Sequence, residues 1–366
     1  MMAIGIGGAG GKVAAKLDPN ATLVNVSETE LNKVVGVGKR IVAPVHAANG
    51  QFRGSRKNPE IGRDAYFTIR RELHEIIRGN MLFCSTGGGT GNGITSGLLK
   101  DVSAMDDIPV PDKTFFNFVL PYGKLESAEF VKNTIDFMTG PLALAIDSGN
   151  TGNIVLFSNR MKFIEKIAED RYNQMMIDSL NVLLAVPQKN DSLRLLDGHI
   201  DHEDFTLFIS KPYLNHFNYF TYDPKESFSK QLEANSNPLL LPSEDAIEAL
   251  FLLEIPQGGD STIFYDILQY FDSIHVSPVY SVVENPAINE PFITVSRLYS
   301  RKPAELVSDY NRINEMHVQA TVEKSLDQHV ELQKLEVDME DEAKKVGIHR
   351  GVEEDVLATL KRLRKL

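Results

Sequence analysis

The chain has 366 residues, of which 42% are hydrophobic and 24% charged, which is enough for two or three folded units and excludes wholesale disorder or a fibrous repeat. A net charge of −12 excludes broad electrostatic wrapping of nucleic acid, because phosphate neutralisation needs clustered cations. One cysteine, Cys84, rules out an intrachain disulfide framework and fits a reducing cytosol, and no apolar run reaches the roughly 18–20 residues that span a bilayer.

Short apolar runs alternate with amphipathic stretches from Ala3 to about Ile209, the pattern of a mostly parallel sheet covered by helices. The predicted strands are Thr22–Val26, Met81–Ser85, Thr114–Leu120 and Asn153–Phe157, and loops at their C-terminal ends are expected to carry the ligand. Residues 162–196 read as largely helical with a break at Pro187, followed by the polar loop Gly198-His199-Ile200-Asp201-His202-Glu203-Asp204. A smaller α+β unit is expected next, with strands at Phe205–Ile209, Ala249–Ile255, Ile274–Val283 and Phe292–Tyr299 and a helix over Thr262–Phe271. After Pro303, helical spacing of Leu306, Tyr310, Ile313, His317 and Ala320 predicts a long helix to Lys345, which Gly347 can terminate. The tail from Val352 to Leu366 carries an apolar stripe (Val352, Val356, Leu357, Leu360, Leu363) and closes with Lys361, Arg362, Arg364 and Lys365.

Two glycine runs carry the chemistry. The first, Gly5-Ile6-Gly7-Gly8-Ala9-Gly10-Gly11-Lys12, follows an apolar strand and opens a helix, so its backbone N–H groups can approach an anion where the helix dipole also favours negative charge. It satisfies the dinucleotide fingerprint, with Glu28 or Glu30 near the distance of a ribose contact, and alone it suggests NAD. It is not a Walker loop, because Val13 follows Lys12. The second, Ser85-Thr86-Gly87-Gly88-Gly89-Thr90-Gly91-Asn92-Gly93, again links a strand to a helix, which begins near Ile94. Five glycines in the seven residues 87–93 are costly to order, and two such loops suit the longer phosphate chain of a nucleoside triphosphate.

The run Gly87 to Gly93 resembles the tubulin and FtsZ signature G-G-G-T-G-[ST]-G, with Asn92 at the variable position. The first loop is similar to the FtsZ run G-x-G-G-x-G-G-N, with Lys12 in the Asn position, and Val24 to Leu31 is similar to V-N-T-D-A-Q-A-L, with Ser27 in place of Asp. Gly54-Ser55-Arg56-Lys57-Asn58-Pro59-Glu60-Ile61-Gly62 resembles G-A-G-G-N-P-E-V-G, with Arg56 and Lys57 at glycine positions.

The resemblance implies a tubulin/FtsZ-like α/β fold: a Rossmann-type parallel-sheet GTPase domain with central helix and acidic loop over residues 1–204, an α+β domain over 205–300, and a C-terminal helix and tail over 301–366. It implies GTP or GDP, with Mg2+, bound by Gly7, Gly8, Ala9, Gly10, Gly11, Lys12, Ser27, Glu28, Arg56, Lys57 and Gly87 through Gly93 (Gly88, Gly89, Thr90, Gly91 and Asn92 between them). Glu126 is the implied ribose acid, and Asn159, from a run like I-V-I-P-N, lies near the nucleoside. The family's alignment puts Met176 and Leu180 at the base-reading positions, with Tyr172, Asn173 and Asn181 as polar substitutes one small register shift away.

The loop Gly198–Asp204 is similar to the family's G-x-x-N-x-D-x-x-D loop, which docks on the next subunit's nucleotide and orients the attacking water. Glu203 matches its first acid and Asp204 its second, while Asp201 takes the Asn position. The same residues also read as a solvated connector, and His199 with His202 as a metal cluster. The implied partner is a second copy in a head-to-tail filament. The C-terminal layout resembles TubZ-type plasmid or phage partition tubulins, which implies a DNA-binding adaptor on the tail; phage DNA positioning and cell division are the alternatives. A Rossmann oxidoreductase and a non-hydrolysing scaffold are the other readings.

Overall fold

The computed structural model describes residues 1–300 except 36, 48–49, 52–53 and 242–244, and beyond 300 only residues 311, 315, 316, 318 and 319, which are helical. These five fall within the expected final helix, whose other residues lie outside the described ones, as does the tail. Met1–Asn314 form one compact unit and Glu315–Leu366 a second.

The strands are β1 (Ala3–Ile6), β2 (Thr22–Asn25), β3 (Lys39–Val42), the two-residue pair β4 (His46–Ala47) and β5 (Gly50–Gln51), β6 (Met81–Ser85), β7 (Phe115–Leu120), β8 (Ile154–Ser158), β9 (Arg194–Gly198), β10 (Leu214–Thr221), β11 (Glu248–Ile255), β12 (Val279–Glu284) and β13 (Phe292–Tyr299). The helices are α1 (Gly7–Leu17), α2 (Glu28–Lys33), α3 (Pro59–Ile77), α4 (Thr90–Ser103), α5 (Ala128–Thr139), α6 (Pro141–Asp147), α7 (Arg160–Ile164), α8 (Glu169–Leu184), α9 (Val186–Ser192), α10 (His202–Ile209), α11 (Phe228–Ala234) and α12 (Phe264–Ser273).

Eleven strands form one sheet in the order β3-β2-β1-β6-β7-β8-β10-β13-β11-β12-β9. Its first six strands are parallel, and apart from the small β4–β5 hairpin they follow the doubly wound pattern that places a topological switch point between β1 and β6. Alternation within β7 divides its side chains between the two faces: Phe116, Phe118 and Leu120 join one buried cluster, and Phe115 and Val119 another.

The second cluster is built on α8, whose Tyr172, Met176, Ile177, Leu180 and Leu183 are buried together with Val155 and Phe157 of β8, Phe217 of β10 and Leu250 and Leu252 of β11. Each fully buried side chain of this size contributes about 1.5–3 kcal/mol, so this one helix ties the parallel strands to the later ones. The seam it bridges is thin, since β10 pairs with β8 through Leu214↔Ile154 and Asn215↔Val155. Buried amides reinforce it: Asn153 Nδ2 donates to the carbonyls of Phe208 (3.1 Å) and Lys211 (2.8 Å), and Asn215 Nδ2 donates to Asn153 Oδ1 (2.8 Å). The expected boundary after Asp204 falls inside α10.

Several elements differ from the sequence expectation, among them the strand expected over Ile274–Val283, which begins only at Val279 as β12. Phe205–Ile209 is the body of α10, not a strand: Phe205, Phe208 and Ile209 are buried at helical spacing, and Asp201 with Asp204 forms a capping box at the N-terminus. The helical reading of 162–196 ends at Ser192, and Arg194–Gly198 is an edge strand antiparallel to β12. The polar strand β10 was unrecognised, and α4 begins at Thr90 instead of near Ile94.

His216 of β10 illustrates what the seam encloses. Its Nδ1 lies 3.0 Å from the Leu241 carbonyl and therefore carries the proton, while Nε2 is buried without a hydrogen-bond partner. Burial, with the nearby Arg297 charge second, lowers its pKa to about 4. Between the ordinary value near 6.5 and that value the unfolded chain takes up a proton that the folded chain refuses, so stability falls as pH drops, by about 3 kcal/mol in all. Urea unfolding midpoints measured from pH 7 to pH 4 are expected to fall accordingly, and His216→Gln should flatten the dependence; equal acid sensitivity in both proteins would count against it.

Candidate nucleotide site

A cleft of about 470 Å³ opens at the C-terminal ends of β1 and β6, the switch point of the parallel strands. Both glycine runs line it, Gly7, Gly8 and Ala9 from the first and Gly88, Gly89, Thr90 and Gly91 from the second. Gly7 has φ +73°, and a Cβ there would lie 2.9 Å from the Gly91 nitrogen, so the two loops are in backbone contact. At Gly10 a Cβ would drive into the Phe83 carbonyl of β6, which is how closely α1 lies on the sheet. The N-termini of α1 and α4 thus converge on one cleft, where unpaired N–H groups and both helix dipoles favour an anion.

A buried amide network holds the second loop. Asn133 Nδ2 donates to the carbonyls of Lys57 and Gly87, each at 2.9 Å, and Asn92 Nδ2 donates to those of Thr86 and Asn133. Ser96 Oγ in turn donates to Asn92 Oδ1 at 3.1 Å. Asn92 therefore braces the loop from behind and does not line the cleft, and Asn133, absent from the sequence reading, links that loop to the turn at Lys57.

Elsewhere on the wall, Glu126 Oε2 accepts from the Tyr122 backbone at 2.6 Å and Asn159 Nδ2 lies 3.1 Å from it, so the expected ribose acid and nucleoside amide meet. Tyr172 and Asn173 of α8 face the same cleft. The Tyr172 hydroxyl donates to the Ser158 carbonyl, and burial, helped by the Glu126 charge, pushes the phenol well above its ordinary range. Lys12 Nζ pairs with Glu169 at 2.8 Å and holds that carboxyl below the usual range. Asn25 Nδ2 donates to Glu30 Oε2 at 2.8 Å, and this carboxylate lies 3.3 Å from where a Cβ of Gly8 would be.

Of the residues named from sequence, Gly7, Gly8, Ala9, Arg56, Lys57, Gly88, Gly89, Thr90, Gly91, Glu126 and Asn159 line the cleft. Gly11 and Lys12 line an adjoining hollow with Asn25, Glu30 and Asn173. Gly10, Gly87 and Gly93 serve close packing, against Phe83, Phe130 and the Pro59 carbonyl respectively. Ser27 is buried as the N-cap of α2, accepting from the Glu30 backbone at 3.3 Å, and Glu28 is exposed on that helix outside the cleft. Asn181 is exposed away from the cleft, while Met176 and Leu180 are core residues.

Asp201, Glu203 and Asp204 lie elsewhere. The end of α10 sits against Asn153, whose N–H donates to the Ile209 carbonyl at 2.7 Å, at the N-terminal edge of β8 and so opposite the cleft. Asp201 Oδ1 accepts from the Asp204 backbone at 2.7 Å, which with the Glu203 backbone holds its carboxyl below the usual range. Glu203 is exposed in the first helical turn. Atoms of His199, Asp201 and Asp204 lie within 4.8 Å of one another, the one such grouping among the described residues.

The architecture has counterparts among solved structures. The GTPγS-form protofilament of Bacillus thuringiensis serovar israelensis TubZ superposes with a TM-score of 0.70 at 12% identity, covering 88% of this chain and 93% of that one. CetZ of Methanosaeta thermophila superposes with a TM-score of 0.64 at 16% identity, covering 94% and 98%. The chain has the tubulin/FtsZ fold. Among curated proteins, the cell division protein FtsZ of Pseudomonas putida is 31% identical over 96 residues, which is 25% of this chain and 24% of that relative's length. No family model matches the chain.

Within this tubulin-like frame the glycines separate by what they face. A Cβ at Gly88 meets nothing within 4 Å, whereas one at Gly10 meets the sheet backbone. Gly88→Val is therefore expected to melt within a few degrees of the parent protein, and Gly10→Val to lose about 2 kcal/mol or more of stability. Thermal unfolding of the two variants checks this; equal losses would overturn the assignment of Gly88 to the open wall.

Proposed function

We propose that this chain is a GTP-dependent, filament-forming GTPase whose hydrolytic site is completed by the next copy. The observation that carries the reading is the contact of two glycine loops, Gly7 against Gly91, over a cleft whose wall also holds the Glu126–Asn159 pair. One loop suffices for a dinucleotide, and a second at the same switch point suits a triphosphate. In this reading the amides of Gly8 to Gly11 and Gly88 to Gly91 cradle the phosphates, Glu126 accepts from the sugar hydroxyls, and Tyr172 and Asn173 take the base, which by likeness to the fold's GTP-binding members is guanine. Glu30 beside Asn25 is the oxygen donor set at the phosphate end that fits a hydrated divalent cation such as Mg2+, which when bound supplies counter-charge.

Hydrolysis needs a water held in line with the terminal phosphorus, so that its oxygen bonds to phosphorus as the bond to the bridging oxygen breaks. The residues best placed to orient it are the acids of α10, which sit at the opposite edge of the sheet from their own cleft and reach a nucleotide only on another copy. Asp201 and Asp204 are engaged in the capping box, which leaves Glu203 as the acid free to face that neighbour. Removing it costs water positioning more than nucleotide affinity.

Segregation of plasmid or phage DNA in the cytoplasm is the proposed cellular role, with a DNA-binding adaptor on the basic amphipathic tail. It draws support from the TubZ superposition and from the stripe of Val352, Val356, Leu357 and Leu360. No helix among the described residues is long and apolar enough to cross a membrane.

GTP is expected to bind the parent protein, and Gly88→Val to lose it while staying folded, because the added side chain fills the cleft. Phosphate release per molecule should rise with protein concentration above a threshold, and Glu203→Ala should slow turnover about 100-fold while GTP affinity and pelleting persist. Turnover independent of concentration would overturn the shared site.

A further inference from the structure

Among the described residues, Arg56 and Lys57 are the one consecutive pair of non-glycine residues at positive φ, 48° and 65°. They are the central residues of a turn closed by the Asn58 N–H on the Ser55 carbonyl at 2.9 Å, and a turn with both central residues left-handed is the primed form that Asn and Gly dominate. At such angles an L side chain crowds its own carbonyl oxygen, so the backbone here is shaped for residues that the chain does not use.

The rest of the structure holds the turn in place. Asn133 Nδ2 grips the Lys57 carbonyl and the Gly87 carbonyl together, and the Lys57 ammonium lies 4.8 Å from the Phe130 ring centre. The turn thereby flanks Gly88 and Gly89 of the glycine loop, and both Arg56 and Lys57 line the cleft.

The charge of the wall explains what is gained. Its other charged residues are Glu30, Glu126, Glu169 and Lys162, a poor lining for a polyanion. Lys12, in the adjoining hollow, pairs with Glu169, so Glu30 and Glu126 stand against Lys162, and Arg56 and Lys57 give the wall an excess of cations.

We propose that Arg56 and Lys57 occupy these left-handed positions to place two side-chain cations on the terminal phosphate, so that the chain itself selects triphosphate over diphosphate and relies less on a divalent ion for counter-charge. The inference rests on the reading of the cleft as a GTP site. A glycine pair makes the same turn without strain and offers amides alone, whereas Arg offers a planar fork and Lys a compact charge that a third phosphate can engage and a diphosphate does not reach.

The test replaces Arg56-Lys57 by Asn-Gly, the pair the turn favours, in the full chain. Relief of the left-handed strain should raise the melting temperature of R56N/K57G by a few degrees, so that a binding loss is not one of folding. GTP affinity measured calorimetrically should fall about 10- to 100-fold and GDP affinity no more than about threefold, with the gap widening when Mg2+ is replaced by EDTA. The single variants Arg56→Asn and Lys57→Asn, which also tolerate positive φ, should each lose part of the selectivity. Unchanged GTP-to-GDP selectivity in the double variant would overturn the proposal, as would equal losses for both nucleotides. A parent protein that binds no GTP would instead overturn the reading of the cleft itself.

Discussion

The approach of two helix N-termini at one point of the sheet is the constraint on which the rest depends. Helices α1 and α4 start from neighbouring strands, and both carry unsatisfied N–H groups into the same space. That arrangement is unfavourable without an anion and favourable with one. It also requires contact closer than side chains allow, since Gly7 meets Gly91 and Gly10 meets Phe83 through backbone alone. Glycine at these positions answers a packing demand first, and the binding property follows from the same geometry.

A second layer keeps those glycine loops from collapsing into the cleft. Gly87 to Gly89 have no side chains with which to anchor themselves, so the anchoring is done by amides from neighbouring helices, Asn133 from α5 and Asn92 from α4. Asn133 and Asn92 each donate two hydrogen bonds, and a partner left unsatisfied would cost about 1–3 kcal/mol, which makes the network cooperative in practice. Because Asn133 also grips Lys57, the same network fixes where the Arg56–Lys57 turn stands relative to the loop.

The parts of this architecture legible in the sequence are those where one physical demand dominates locally. Glycine runs between strand and helix, and the apolar strands β6, β7 and β8, fall in this class. The α10 helix was misread because a five-residue apolar run has no periodicity of its own, although the Asp201-x-x-Asp204 cap was already present as a signal. Strand β10 escaped notice because Asn215, His216 and Asn218 look solvated, yet they serve a buried polar seam. Within the site, Asn92 resembled a ligand contact and is a brace, while Ser27 and Asn181 point away from the cleft. Asn133 carries no local signature, since its role arises from a contact 76 residues away along the chain. For the base, Tyr172 and Asn173 were separable from Asn181 only once the rotation of α8 was known.

The position of α10 bears on why nucleotide turnover and assembly would be joined in such a molecule. Its capping box consumes Asp201 and Asp204 within the chain, and its C-terminal carbonyls are held by Asn153 at the start of β8, so the exposed Glu203 is presented on a rigid element. A carboxylate placed beside its own triphosphate would repel it and would turn over nucleotide in every free copy. On the proposed reading, an acid carried on α10 and outside its own cleft would do neither until a second copy stacked, and the energy of that contact, not of the nucleotide site alone, would then determine when the water is oriented. On the same reading, the strained Arg56–Lys57 turn and the remote acid would divide the work: the former would favour loading with triphosphate, and the latter would delay its loss.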